Sequence, residues 1–276
     1  MTVREIIDEI IGKTGVERIP YDMTCDRLMS GDMDQEVTGI ASTFMATVDV
    51  IKEAADKGCN LIITHEPTWF TGKDDIDWLE NDPVYKLKKQ LIEDHGMAIW
   101  RFHDHMHFAD EDGIYRGIEM ELGWQEYRME EDESIMPGHF DGCYQIPSIS
   151  LSELCSFFKT KLDMDVIQII GDPETTVERV SILPGGGSLG LGNENMPMRL
   201  MQLRGLDLII CGEILEWTLP AYVRDAHQLG LNKAILVLGH ERSEEPGMKH
   251  LPAWLESIAE GIPLTFIDAG EPFTYL

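Results

Sequence analysis

The sequence predicts an α/β protein made of two similar three-layer α/β domains with mostly parallel sheets. Three observations predict it. Short apolar runs suited to strands buried on both faces recur at 60–64 (NLIIT), 97–102, 207–211 (DLIIC) and 234–238 (AILVL). Segments of helical period separate them. The run–helix–run order of the first half then returns in the second, a weak internal duplication. Strands joined through helices run parallel with right-handed crossovers, so their C-terminal ends share one edge, where ligands bind.

Each element has its own signal. Thr2 and Glu5 form a capping box ahead of Val3, Ile6, Ile7, Ile10 and Ile11 on one helical face, and Gly15 marks the stop. Residues 20–35 read as a loop rich in Asp and Met. A strand at 37–43 leads to a helix at 46–57 closed by Gly58. The strand at 60–64 delivers His65-Glu66-Pro67. A loop holding Trp69, Phe70 and Gly72 follows, and Asp82-Pro83 opens a helix that Gly96 closes. The strand at 97–102 runs into His103.

In the second half, 139–170 supply a strand, a helix capped by Ser150 with Glu153, and a strand at 166–170. A strand at 179–184 enters the GGGS turn at 185–188, and a helix covers 196–204. The strand at 207–211 ends in Gly212-Glu213, and a helix covers 216–229. The strand at 234–238 ends in Gly239-His240, so His240 is placed as His103 is in the first half. A helix at 248–260 and a strand at 263–267 close the chain. The expected domains are 1–124 and 125–276, divided in the acidic stretch near 125–138, with the C-terminal segment free to pack on the first.

With 50 acids against 22 bases the net charge is −28. Nucleic acid is bound by Lys and Arg neutralising phosphates, so nucleic acid and anionic membrane surfaces are excluded as expected partners. The acids are dispersed, which reads as solubility; the densest run, 126–133, reads as a solvated loop. Five cysteines without a CxxC spacing read as reduced thiols in a cytoplasmic protein. The N-terminus is acidic and amphipathic, unlike a signal peptide, and no apolar run reaches the ~20 residues that span a bilayer.

Candidate chemistry collects at the strand ends. Three of the nine histidines, His103, His105 and His107, follow one apolar strand. Neutral imidazole is the commonest metal ligand. His103 and His107 are spaced i,i+4, as are His240 and Glu244, and a helical turn would project each pair from one face. One such pair alone reads as well as a solvated surface pair. Two after strands, with His65-Glu66 after a third, favour metal. Six ligands (His65, Glu66, His103, His107, His240, Glu244) suit two divalent ions with a bridging water. Imidazole predominance favours Zn, Fe or Mn over Mg or Ca.

Asp104 or His105 can orient ligands from behind. Glu213 and Glu216 either orient ligands or complement a helix dipole. The GGGS turn lacks a P-loop lysine and reads as a tight turn more than an anion cradle. Trp69, Trp100 and Trp217 read as core or pocket wall, and His95, His139, His227 and His250 as structural or surface residues.

These segments, THEPTWF (64–70), FHDHMH (102–107), the GGGS turn, CGEILEWTLPAYVRDA (211–226), LGHERSE (238–244) and the terminal FIDAGEPF, occur in a specific order. Together they resemble the NGG-interacting-factor-three-like family, the dinuclear metal-centre hexameric proteins also labelled GTP cyclohydrolase I type 2 homologues. The resemblance covers most of the chain. It implies two metals held between two similar α/β domains at the strand C-terminal edges, and a homo-hexamer. His65, His103, His240 and Glu244 keep the family's residue type. Glu66 stands where a second His is usual and His107 where Asp is usual. The exchange leaves the ligand inventory and formal charge unchanged. It also makes His107, not His105, the expected second ligand of its pair.

Two functions follow. In the first, the protein is a metal-dependent hydrolase in which two ions share a water and lower its pKa from ~15.7 towards ~7. Its substrate is small and anionic, nucleotide-like or a phosphoester, and Glu213 assists as catalytic general acid/base. In the second, it is a non-catalytic metal-binding hexamer that regulates or binds partners.

Overall fold

The computed structural model describes residues 1–131 and 140–276. His139 and the later part of the acidic stretch near 125–138 lie outside the described residues. In chain order the elements are α1 (Val3–Thr14), β1 (Leu28–Ser30), β2 (Ile40–Thr43), α2 (Val48–Asp56), β3 (Leu61–Thr64), α3 (Pro83–Asp94), β4 (Ala98–Arg101), α4 (Asp104–His107) and α5 (Gly113–Leu122). Then come β5 (Cys143–Ser150), α6 (Leu151–Leu162), β6 (Gln168–Ile170), β7 (Thr176–Leu183), α7 (Met196–Leu203), β8 (Leu208–Cys211), α8 (Leu219–Gln228), β9 (Ala234–Val237), α9 (His240–Leu255) and β10 (Leu264–Phe266). The chain forms two compact units, Met1–Gly117 with Glu245–Gly270, and Ile118–Glu244 with Glu271–Leu276.

Unit 1 is a five-stranded sheet of order β1-β4-β3-β2-β10. All pairs are parallel except β1 with β4. Residue alternation sends Leu61 and Ile63 to one face, against Ile6 and Ile10 of α1, and Ile62 to the other, against Val50 and Ile51 of α2. Helices thus cover both faces, which is why the strands are continuous apolar runs. Each fully buried Ile or Leu contributes about 1.5–3 kcal/mol. The capping box holds α1 at Thr2 and Glu5, and Gly15 ends it in the left-handed conformation (φ +75°). Asp82 caps α3, with Pro83 in its first turn.

Unit 2 is a five-stranded sheet of order β5-β7-β8-β9-β6, parallel through β7-β8-β9 and antiparallel at both edges. Ile182, Ile210 and Leu236 pack with Leu154 and Phe158 of α6. Ile209, Cys211 and Ile235 pack with Leu200 of α7 and Val223 of α8. Both sheets are therefore mixed, with a parallel centre, and the α/β expectation holds.

Strand register levels the ends that matter. Thr64 pairs with Arg101, so His65 and His103 leave the same edge of their sheet. Leu183 pairs with Cys211 and Cys211 with Val237, so Gly185, Glu213 and His240 leave one edge of theirs.

Four expectations are corrected. The 20–35 loop contains β1, a short antiparallel edge strand that the Asp-rich context hides. The helix α5 was not foreseen. α8 starts at Leu219, not 216, because Pro220 suits only a first turn. α9 starts at His240, not 248, and continues through Pro246 and Pro252, residues that ordinarily break a helix. Among the described residues no helix is long and apolar enough to cross a membrane, and all five cysteines are thiols.

Candidate metal centre

In unit 1, His65, His103 and His107 come together. One ring nitrogen from each lies within 4.8 Å of the others. The ring centroids of His65 and His103 are 4.6 Å apart and nearly parallel, and His107 stands edge-on to both, at 4.9 and 4.7 Å. Each ring is fixed from behind through Nδ1. His65 Nδ1–H donates to the Phe102 carbonyl at 3.2 Å. His103 Nδ1–H donates to Asp104 Oδ1 at 2.9 Å, and His107 Nδ1–H donates to Asp112 Oδ2 at 2.9 Å. An oxygen acceptor at Nδ1 places the lone pair on Nε2, the tautomer a metal ligand needs.

Burial keeps the His65 ring neutral. His65 is fully buried, and burial, reinforced by His103 and His107, lowers its pKa well below the ordinary value, so the ring is neutral. Burial works against the Asp104 carboxylate. The hydrogen bonds it accepts from His103, the Cys25 amide and the Thr24 hydroxyl outweigh burial and hold it well below the usual carboxylate range. Burial pushes the Cys25 thiol up to about 12, so Cys25 is a thiol that donates to Asp104 at 3.3 Å.

Asp26 organises the turn that carries the cluster. Its Oδ1 accepts the amides of His103 (2.6 Å) and Asp104 (2.7 Å), and its Oδ2 accepts the His105 amide (2.9 Å). The same Oδ2 accepts His105 Nδ1–H at 2.6 Å, while His105 Nε2 accepts the Ile19 amide at 3.1 Å. Both nitrogens of His105 are thus engaged in holding the fold, and the ring is 1% exposed. Glu66 lies beside the cluster, its Oε1 3.9 Å from His103 Nε2.

In unit 2, His240 and Glu244 sit one turn apart at the start of α9, with His240 Nε2 3.0 Å from Glu244 Oε2. Glu213 Oε1 lies 3.1 Å from His240 Nδ1, so it orients that ring as the carbonyl and carboxylates orient those of unit 1. Glu213 is itself placed by the GGGS turn: its amide donates to the Gly185 carbonyl at 2.9 Å, and its carbonyl accepts the Ser188 hydroxyl at 2.5 Å. Gly185 has φ +50°, and a Cβ there would lie 2.6 Å from the Glu244 carboxyl carbon and 2.7 Å from His240 Nε2. The turn is a cradle for these two side chains.

The donor set fits a divalent ion. Metal–N and metal–O bonds of ~2.0–2.2 Å place neighbouring ligand atoms roughly 3 Å apart, the spacing between His240 and Glu244. The six candidate ligands His65, Glu66, His103, His107, His240 and Glu244 stand at strand ends or in the helical segments that start there. Glu216 is exposed in the loop before α8. Trp69 and Trp100 are core, but Trp217 is 70% exposed and is neither core nor a buried wall. His95 and His227 are exposed. Sequence reasoning missed Asp26, Asp112 and Arg101. Asp112 could have been found as an acid one turn beyond His107; Asp26 carries no local signal.

A two-unit α/β protein with pinned imidazoles and carboxylates at its strand C-terminal edges carries groups of side chains that could hold a metal ion. More particularly, the chain belongs to the Duf34/NIF3 (NGG1p interacting factor 3) family, whose model matches residues 1–272. It is similar to the GTP cyclohydrolase 1 type 2 homolog of Clostridium acetobutylicum, 25% identical over 234 residues, covering 83% of this chain and 80% of that one. The Clostridium perfringens protein of the same description is 26% identical over 242 residues, covering 79% of this chain and 78% of its own length. Among solved structures, a Bacillus cereus protein related to NIF3 superposes with a TM-score of 0.74 at 14% identity, covering 100% of this chain and 99% of that one. A Staphylococcus aureus hypothetical protein gives 0.70 at 19% identity with the same coverage. These two likenesses concern the fold.

Proposed function

We propose that the protein binds two divalent ions and is a metal-dependent hydrolase of a small anionic substrate, nucleotide-like or a phosphoester. The proposed ligands in unit 1 are His65, Glu66, His103 and His107, and those in unit 2 are His240 and Glu244. The supporting observation is the common pinning of His65, His103 and His107 at Nδ1 by oxygen acceptors, which turns each Nε2 into a donor. Surface histidines have no need of such anchoring. Four imidazoles and two carboxylates suit Zn, Fe or Mn.

Bound ions would supply Lewis acidity that activates water near neutral pH and attracts anionic oxygens. The chain's own residues do the rest. His65 stays neutral without needing to lose a proton. Asp104, Asp112 and Glu213 hold ring orientation. Glu213, half-exposed beside His240, would also move a proton as general acid/base. Bound dications would be only partly neutralised by their carboxylate ligands, which would draw an anion locally in a chain of net charge −28.

The names of the curated relatives, GTP cyclohydrolase 1 type 2 homologs, support ring hydrolysis of a nucleotide-like substrate. The test combines elemental analysis of untagged, reconstituted protein with turnover on phosphoesters, nucleotides and cyclic amides. Near two equivalents of metal and an activity lost in His240→Ala, with the fold retained, support the proposal. Less than about half an equivalent refutes the metal centre.

The family's description as an interacting factor favours a second reading, a metal-binding hexamer in the cytoplasm that binds partners without turnover. Inactivity of the fully metallated protein on all three substrate classes supports that reading. Sedimentation equilibrium tests the proposed homo-hexamer directly.

A further inference from the structure

Arg101 ends β4 and its side chain is only 4% exposed. A guanidinium taken out of water needs full pairing. Each of the three nitrogens of Arg101 has a partner: Nε donates to the His65 carbonyl at 3.1 Å, Nη1 to the Gly72 carbonyl at 2.7 Å, and Nη2 to Glu66 Oε2 at 3.1 Å. Asp74 Oδ2 lies 3.5 Å from Nη1. The fork therefore grips the backbone of one residue of the histidine cluster and the side chain of the next. It takes one oxygen of Glu66, and the other, Oε1, faces His103 Nε2 at 3.9 Å.

We propose that Arg101 is a positioning residue that presents Glu66 to the His65–His103–His107 cluster as a single-oxygen donor. This rests on the metal-centre reading above. A carboxylate has two acceptor atoms and can serve a guanidinium with one and an ion with the other. The rigid, planar fork fixes which is which, and its charge offsets part of the carboxylate's. The cluster then behaves as an imidazole site with one weakly charged oxygen, which favours Zn over Mn. Without the fork, Glu66 is free to chelate through both oxygens.

The test measures affinity by chelator competition with Zn²⁺ and Co²⁺, together with the Co²⁺ absorption spectrum, for wild type, Arg101→Lys, Glu66→Gln and the double variant. Lys keeps the buried charge but lacks the fork. Each single variant should weaken binding by about 10–100-fold, the scale of outer-shell changes. The Arg101→Lys spectrum should shift, since Glu66 changes its mode of attachment. The double variant should bind no more than about twofold more weakly than Glu66→Gln alone, because Arg101 acts through Glu66. Losses that multiply in the double variant, or an Arg101→Lys protein that binds and absorbs as wild type, overturn the role of Arg101 and leave the metal centre standing. A wild type that binds neither ion overturns the metal centre itself and this role with it. Should Arg101→Lys not fold, Glu66→Asp carries the test. Its shorter side chain cannot reach guanidinium and cluster together, so its affinity should fall as that of Glu66→Gln does; wild-type affinity refutes the proposal.

Discussion

Asp26→Asn is the most informative single substitution. The native carboxylate accepts four hydrogen bonds, from the amides of His103, Asp104 and His105 and from His105 Nδ1. Asparagine keeps one acceptor oxygen and offers an NH₂ where the other stood. If the retained oxygen serves His103 and Asp104, the NH₂ meets two donors, the His105 amide and Nδ1–H. Two bonds to a charged acceptor are lost, each worth about 1.5–3 kcal/mol, so the variant should be about 3–6 kcal/mol less stable. That is a large share of the roughly 5–15 kcal/mol that holds a typical domain. Flipping His105 to rescue Nδ1 would break the bond from Ile19 to Nε2, so the loss has no cheap escape. Urea denaturation followed by circular dichroism measures the stability. Chelator competition, under conditions where the variant is folded, should show weaker binding, because the same carboxylate aims the turn bearing His103 and His107. A loss under about 1 kcal/mol with unchanged affinity would refute the assignment of Asp26 as the organiser of the cluster.

Three further outcomes are expected. His107→Ala should lose most metal binding with little loss of fold, whereas His105→Gln should keep metal stoichiometry but lose about 1–3 kcal/mol, as a buried hydrogen-bonding pair is broken; the reverse pattern would exchange their roles. Gly185→Ala should weaken binding and cost roughly 1–3 kcal/mol, since φ is positive and the added methyl displaces His240 and Glu244; calorimetry and metal titration read both. Lys88, held against the Thr68 carbonyl at 2.8 Å, has its pKa lowered to about 8 by burial, Asp74 partly opposing. The unfolded chain, with Lys near ~10.4, binds the extra proton between those values, so wild-type stability should rise by about 3 kcal/mol as pH climbs through that window; Lys88→Met should lack the rise, and a parallel pH profile for both proteins would refute it.

The legibility of this chain follows the range of the forces involved. Strands buried on both faces announce themselves as NLIIT and DLIIC because burial acts on every residue. Capping boxes at Thr2–Glu5 and Ser150–Glu153 are local hydrogen bonds, and the structure has both. The approach of His65, His103 and His107 was readable because parallel register makes strand ends coincide. What stayed hidden was non-local. Asp26 reaches His103, Asp104 and His105 from a distant loop, and no periodicity links it to them. Arg101 reads as a strand residue until the sheet places it beside Glu66. The start of α9 was masked by Pro246, whose lost backbone bond the surrounding packing tolerates. The glycine turn was read as a turn, but the reason for Gly185, the side chains of His240 and Glu244 against its Cα, needs three dimensions.

The pinned Nδ1 atoms have a consequence for how an ion would arrive. Three rings that are already rotationally fixed and in one tautomer surrender their freedom when the chain folds, not when a ligand binds. Capture would then proceed as a key enters a cut lock. Amide exchange in α4 should be the same with and without metal, and the rate of uptake should track ion dehydration in place of protein motion.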